Sequence, residues 1–433
     1  MSATAAVLPG FDPGPEIRRS VRGQEGHVPR LRAAARDLAR FARLDEGASR
    51  AALAGRLEPL RSALWRSPFH RERLKARGLS PDDLRTLDDL RHFPALDRET
   101  LGRAFDALPA FPPGSVGRLF VERSSGSTGR PIAVLKEDYD SVHMWAVLRF
   151  WLRGLGRRLP SRPRVALLCT LPHGVEYRTP LPALGGTLAR ISLARPEPAA
   201  RLRAFSPHVV FTDPAGLHWL AGQDDPPRAR LALSSAMHLS ADLRRRAEAA
   251  LRSPVLNYYS TAETGPIAWE CRRYPGRFHV LVPDVWVESV RGELAVTRLR
   301  ASVLPLLRYL PGDRGEVREG PCACGHRGPS IVGLDGRRSC AFVTPDGREV
   351  DAWQLAWAFQ HHPLGGFRLT QVSTAAFLLE IAGEPTGTTG ALDRLRASLV
   401  SLGWREPRIA CRRVAWPALA AAKPEPFVIK ERT

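Results

Sequence analysis

The chain has 433 residues, more than a single hydrophobic core of about 250 to 300 residues usually organises, so two or more domains are expected. Hydrophobic residues make up 44% and charged residues 25%, which excludes a wholly disordered chain, and no run reaches the roughly 18 apolar residues of a membrane helix. The formal charge is +20, yet every basic residue except Lys75, Lys136, Lys423 and Lys430 is an arginine, scattered along the chain. That is the pattern of a solvated basic surface, so neither nucleic acid nor membrane is an expected partner.

Residues 1–30 are rich in Pro, Gly and Arg without a clear period and read as a flexible leader. Their start carries Asp12 and Glu16 and lacks the apolar centre of a secretory signal, so a cytoplasmic protein is expected. Over residues 31–78 apolar side chains recur at three and four spacing (Leu31, Leu38, Phe41, then Leu53, Leu57, Leu60, Leu64), which predicts amphipathic helices. Ser80-Pro81-Asp82-Asp83 adds a cap, a proline at the first position and acids in the first turn, the signals of a further helix start. From residue 119 short apolar runs alternate with helical stretches. Strands are predicted at 119–122, 132–135, 164–169, 188–193, 208–212, 231–235 and 255–258, with helices at 139–155 and 241–252. Such alternation means an α/β fold with a largely parallel sheet. Strands at 278–281, 285–290 and 292–297 follow one another and suggest a β-rich lobe. A smaller α/β module is expected over 342–433, entered through the turn Thr344-Pro345-Asp346-Gly347.

Four segments carry chemistry. Ser124-Ser125-Gly126-Ser127-Thr128-Gly129-Arg130-Pro131 sets hydroxyls and glycines between two strand-like runs. Glycines let backbone N–H groups approach a ligand and hydroxyls add donors, so the loop suits a polyphosphate, although a plain hairpin turn is an equal reading. It lacks the Gly-Lys-Ser/Thr ending of a Walker loop and the spacing of a nucleophile elbow. In Tyr258-Tyr259-Ser260-Thr261-Ala262-Glu263-Thr264-Gly265, Glu263 is open to two readings, a solvated loop charge or a magnesium ligand. Asp313 stands on a turn after Arg308-Tyr309-Leu310-Pro311-Gly312. The close pair Cys322-Ala323-Cys324 suggests a metal.

In this order and with these separations the first three segments resemble the adenylate-forming superfamily, and more closely its phenylacetate-CoA ligase-like branch. The hydroxyl and glycine loop is similar to that family's phosphate-binding loop, Tyr259 to Gly265 to its Tyr-Gly-Ser-Thr-Glu-x-Gly motif, and Gly312-Asp313 to its Thr-Gly-Asp. Ser67-Pro68-Phe69-His70-Arg71-Glu72-Arg73-Leu74 and Phe93-Pro94-Ala95-Leu96 resemble the branch's N-terminal helical segment, and Ala422-Lys423-Pro424-Glu425-Pro426-Phe427-Val428 resembles its lysine-bearing ending.

The resemblance implies a large multi-subdomain adenylation domain over 31–341 and a small mobile C-terminal domain over 342–433. It implies ATP-dependent activation of a carboxylic acid, aromatic in the family's pattern, as an acyl-adenylate, then transfer to a thiol of coenzyme A or a carrier protein or to another nucleophile. Ser124, Ser125, Gly126, Ser127, Thr128, Gly129 and Arg130 would hold phosphates, Glu263 Mg2+, Asp313 the ribose, and Lys423 the charge that grows in the transition state. Lys430 is the less well aligned alternative. Tyr258 and Tyr259 would lie near the adenine or the acyl pocket. Some members of the branch carry a structural Zn2+ at the positions matching Cys271, His279, Cys322 and Cys324, with His326 a reserve imidazole. A homodimer is compatible with this picture. The chain departs from the family where Arg130 replaces a lysine, Ala262 a Thr or Ser, Met237 a frequent Glu, and Arg338-Ser339-Cys340 the acidic hinge. These departures leave room for a catalytically degenerate member that binds a nucleotide or a carrier protein.

Overall fold

A computed structural model describes residues 14–104, 109–110, 119–123, 133–169, 176–193, 195–236, 239, 241–300, 302–335, 341–351, 355, 366–382, 388–414 and 427–429. The fold is α/β, as the alternation of segments predicts. A 14-stranded sheet runs through the molecule. Its parallel part is formed by Arg164–Cys169, Gly186–Ser192, Val209–Thr212, Leu231–Ser234 and Val255–Thr261.

Val209–Thr212 and Leu231–Ser234 read as nearly continuous apolar runs because both faces are covered. Successive side chains alternate between two cores. Val165, Leu231 and Leu233 face the helices Gly14–Phe41 and Met144–Gly154. Ala166, Val210 and Ala232 face the helices Pro198–Phe205, Pro214–Ala221 and Ala241–Leu251. The Gly14–Phe41 helix starts inside the stretch that composition marks as a leader, and it runs through Pro29. Arg30 lies 3.5 Å from the Tyr139 ring centroid, so this helix is packed onto the body at its C-terminal half. The segment after Ser80 is not an α-helix: Pro81–Asp83 is a single 3-10 turn, with the capping box intact. The long helix expected over 139–155 is broken into Asp138–Val142 and Met144–Gly154.

The β-rich lobe is not a separate sheet. Gly265–Glu270, Arg277–Val280, Ser330–Asp335, Arg314–Arg318 and Glu293–Arg298 continue the same hydrogen-bonded order antiparallel to one another. Leu96–Asp97 pairs in parallel with Tyr309–Leu310, which brings the N-terminal helical segment to the aspartate turn. Arg308 fastens this junction by donating to the carbonyls of Arg91 and Phe93. Leu119–Arg123 and Ala133–Glu137 form a two-stranded ladder that flanks the hydroxyl and glycine loop.

Toward the C-terminus a four-stranded sheet contains Gly366–Ser373, Ala376–Ala382, Arg408–Arg413 and Phe427–Ile429. It packs with the helix Thr388–Leu402 around its own core of Phe342, Leu369, Phe377, Leu379, Leu395, Leu399 and Trp404.

Candidate active site

The Tyr258–Gly265 motif is a hairpin and not an open loop. Val255–Thr261 extends past Tyr258, turns through Ala262-Glu263-Thr264, and returns as Gly265–Glu270. Gly265 sits at φ +78°, a left-handed conformation that glycine adopts without a Cβ penalty. Thr261 closes the turn by accepting from the Thr264 backbone N–H at 3.1 Å.

The hairpin places the two tyrosines on opposite faces of the sheet. The Tyr258 ring lies 5.0 Å from that of Trp151 and 6.5 Å from that of Phe211, and burial raises its phenol above the ordinary value. Tyr259 points the other way and donates its hydroxyl to Asp313 Oδ2 at 2.7 Å. Tyr259 and Asp313 are both buried, so the predicted ribose-binding carboxylate is held by the residue that opens the predicted glutamate motif.

Glu263 is also buried and is held at two points. Arg98 Nη1 donates to its Oε1 at 2.7 Å, and the Arg298 guanidinium donates to its backbone carbonyl. Burial, and after it the Glu263 carboxylate, pushes the Tyr309 phenol upward, which sets the Glu263 turn beside the strand that leads to Asp313. Arg298 also donates to Ser302 Oγ at 2.6 Å and lies 3.9 Å from Asp140 Oδ1, while Arg300 donates to Asp140. Burial alone would raise the Asp140 carboxyl; Arg300 and Arg298 overturn this and hold it well below the usual carboxylate range. Burial lowers the Arg298 guanidinium to about 10.

Sequence reasoning missed Arg98, Arg298 and Asp140. Arg298 did leave a signal, because it occupies a core-facing position in a strand whose inward residues are otherwise apolar, Leu294 and Val296. Arg98 left none, since only the pairing of residues 96–97 with 309–310 delivers it.

The metal candidates assemble as a group. One ligand atom each from Cys271, His279, Cys322 and Cys324 lies within 4.8 Å of all the others. The Cys271 and Cys322 sulfurs are 4.0 Å apart, and Cys324 Sγ is 3.3 Å from His279 Nε2. Zinc–thiolate bonds of about 2.3 Å in a tetrahedron put sulfurs about 3.8 Å apart, so these spacings fit zinc. The chemistry of the donors fits too. Burial lowers His279 to about 3 and keeps its ring neutral. Burial, then the Cys322 and Cys271 thiols, raises Cys324 to about 12, a crowding that a dication would relieve. His326 is not one of the four; its ring stacks on His279 at 4.1 Å. The ligands join two hairpins, with Cys271 and His279 on one and the turn Cys322–Cys324 between Arg314–Arg318 and Ser330–Asp335 on the other.

Cys169 is buried and accepts from Arg190 at 3.2 Å. Cys411 is exposed. Ser124, Ser125, Gly126, Ser127, Thr128, Gly129, Arg130, Met237, Arg338, Ser339, Cys340, Lys423 and Lys430 lie outside the described residues.

Solved structures of 2-hydroxyisobutyryl-CoA ligase share this fold. The form in the postadenylation state with R3-HIB-AMP superposes with a TM-score of 0.58 at 18% identity, over 90% of this chain and 91% of that one. The form with 2-HIB-AMP and CoA in the thioesterification state gives 0.59 at 17%, over the same shares. The fold is that of the adenylate-forming ligases. Within that class the sequence is similar to the phenylacetate-CoA ligase branch. The phenylacetate-coenzyme A ligase of Pseudomonas putida is 29% identical over 281 residues, 59% of this chain and 63% of that protein. The one from Escherichia coli K12 is 28% identical over 303 residues, 63% of this chain and 68% of that protein. The chain thus matches just under two thirds of the Pseudomonas enzyme's length. No family model matches the chain. Among the described residues no helix is long and apolar enough to cross a membrane.

Proposed function

We propose that this chain activates a carboxylic acid with ATP, forming an acyl-adenylate and pyrophosphate, and then passes the acyl group to a thiol. The observation that carries the reading is the junction of the Glu263 hairpin with the Asp313 turn through the Tyr259 hydroxyl at 2.7 Å. The similarity to acid–CoA ligases supports coenzyme A as the acceptor, with a carrier-protein thiol of the same chemistry as the alternative, and an aromatic acid as the substrate class.

Asp313, oriented by Tyr259, accepts the ribose hydroxyls, and Ser124 to Arg130 take the leaving pyrophosphate. Glu263 offers one buried carboxylate, which suits Mg2+ because that ion commonly takes one or two protein carboxylates and completes its shell with phosphate and water. Held there by Glu263, Mg2+ would supply charge neutralisation at the phosphates. Arg98 donates to Glu263 Oε1 at 2.7 Å in this structure, so it orients the carboxylate before nucleotide arrives. Lys423 stabilises charge that develops as the acid's carboxylate attacks the α-phosphate. The chain contributes positioning and preorganised charge and forms no covalent bond to substrate in this scheme.

We further infer that residues 342–433 act as a small mobile domain that carries Lys423, in keeping with their separate core. We also infer a structural zinc on Cys271, His279, Cys322 and Cys324; four protein ligands leave no open position for catalysis. Exchange of labelled pyrophosphate into ATP, dependent on an acid and on Mg2+, tests the reading.

A further inference from the structure

We propose that Arg298 is a positioning residue for the nucleotide site, setting the Glu263 turn from beneath with Asp140 as its counter-charge. The inference rests on the proposed role of Glu263 and extends it to residues that touch no substrate.

Arg298 ends the strand Glu293–Arg298 and is 1% exposed. Its fork reaches the carbonyl of Glu263, the Ser302 hydroxyl and, at 3.5 Å, the carbonyl of Leu304. Asp140 follows the strand Ala133–Glu137 on the short helix Asp138–Val142, so the counter-charge, which Arg298 shares with Arg300, comes from the second element after the hydroxyl and glycine loop in sequence. One guanidinium therefore bonds the glutamate turn and the connection that leads to the strand Tyr309–Leu310, and lies 3.9 Å from the Asp140 carboxylate.

A charge taken so far out of water is costly and is offset only where its geometry is well met. Here the match is partial: Nε is buried and has no partner among the described residues. An apolar residue would fill the strand position with less penalty. What Arg298 adds is a directed bond to the Glu263 backbone, and with Arg98 on the carboxylate the residue is fixed from both ends. Bonds of this outer kind tune metal ligands, and their loss typically weakens metal affinity about 10- to 100-fold.

The test is calorimetric binding of ATP with and without Mg2+, alongside urea unfolding. Arg298→Lys keeps the charge and loses the fork. It should cut the Mg2+-dependent gain in ATP affinity by about tenfold, with ATP binding in EDTA little changed. Leu251→Ala, in a core remote from the turn, serves as a control that destabilises the fold while retaining the wild-type gain. If Arg298→Lys does not fold, Ser302→Ala removes the 2.6 Å bond to the guanidinium, together with the hydroxyl's contacts to the Leu304 N–H at 3.2 Å and Asp140 Oδ2 at 3.5 Å, and should lower the same gain by a smaller factor. A wild-type gain in Arg298→Lys, or in Ser302→Ala where the lysine variant is unfolded, overturns the proposal, as does an equal loss in Leu251→Ala. Wild-type protein that shows the Mg2+ gain but no acid-dependent exchange overturns the catalytic reading and leaves the role of Arg298 standing.

Discussion

Replacing Tyr259 by Phe removes one oxygen and little volume, and the structure says where the loss falls. The hydroxyl donates to Asp313 Oδ2 at 2.7 Å, between groups that are 8% and 6% exposed. A hydrogen bond to a charged acceptor contributes about 1.5 to 3 kcal/mol, and removing the donor leaves the buried oxygen short of a partner. Part of that loss appears in folding and part in ligand binding, because the same bond orients the carboxylate for the ribose. At ~1.4 kcal/mol per tenfold, half of the upper figure predicts an ATP dissociation constant raised about tenfold, with unfolding free energy lowered by the other half, about 1.5 kcal/mol. Calorimetric titration with ATP and urea unfolding read the two parts separately. Unchanged ATP affinity with a full loss of stability would show that the Tyr259–Asp313 bond only holds the fold and would refute the ribose assignment.

Other outcomes follow from the proposed site and from the buried groups around it. Purified protein should carry about one zinc per chain, and Cys322→Ser combined with Cys324→Ser should abolish it; zinc retained in the double variant removes the assignment. Lys423→Ala should depress adenylate formation on the order of a hundredfold with little change in ATP affinity, and near-normal pyrophosphate exchange would exclude this lysine. His70 is buried and bonds the Pro305 carbonyl at 3.0 Å, and burial lowers it from 6.5 to about 4. Its folded value lies below the unfolded one, so its contribution is complete above about pH 6.5 and is lost as pH falls toward about 4; at ~1.4 kcal/mol per pH unit this amounts to about 3 kcal/mol. In His70→Gln the fall in unfolding free energy between those pH values should be smaller by that amount, and an unchanged slope would count against the buried neutral imidazole.

The parts of this molecule legible in the sequence were those that local chemistry decides. Apolar runs such as Arg164–Cys169 and Leu231–Ser234 gave the parallel strands, because a strand covered on both faces needs apolar residues at every position. The four metal ligands, named from a family resemblance, were brought within 4.8 Å by the pairing of two hairpins. Less legible was the helix break at His143, whose flanks are both helix-compatible. His143 bonds Asp284 at 2.6 Å and Tyr139 at 3.2 Å, a tertiary demand without a local signal. One support of Glu263, Arg98, was hidden for the same reason. Arg98 is 165 residues away in sequence, and only the register of Leu96 against Tyr309 brings it there.

Pyrophosphate exchange separates adenylation from nucleotide binding alone. Wild-type protein with ATP, Mg2+, labelled pyrophosphate and a panel of aryl and other carboxylic acids should incorporate label into ATP only when the correct acid is present, and should lose the exchange in EDTA. Retained ATP binding with no exchange for any acid in the panel would contradict adenylation and leave a nucleotide-binding protein built on the ligase fold.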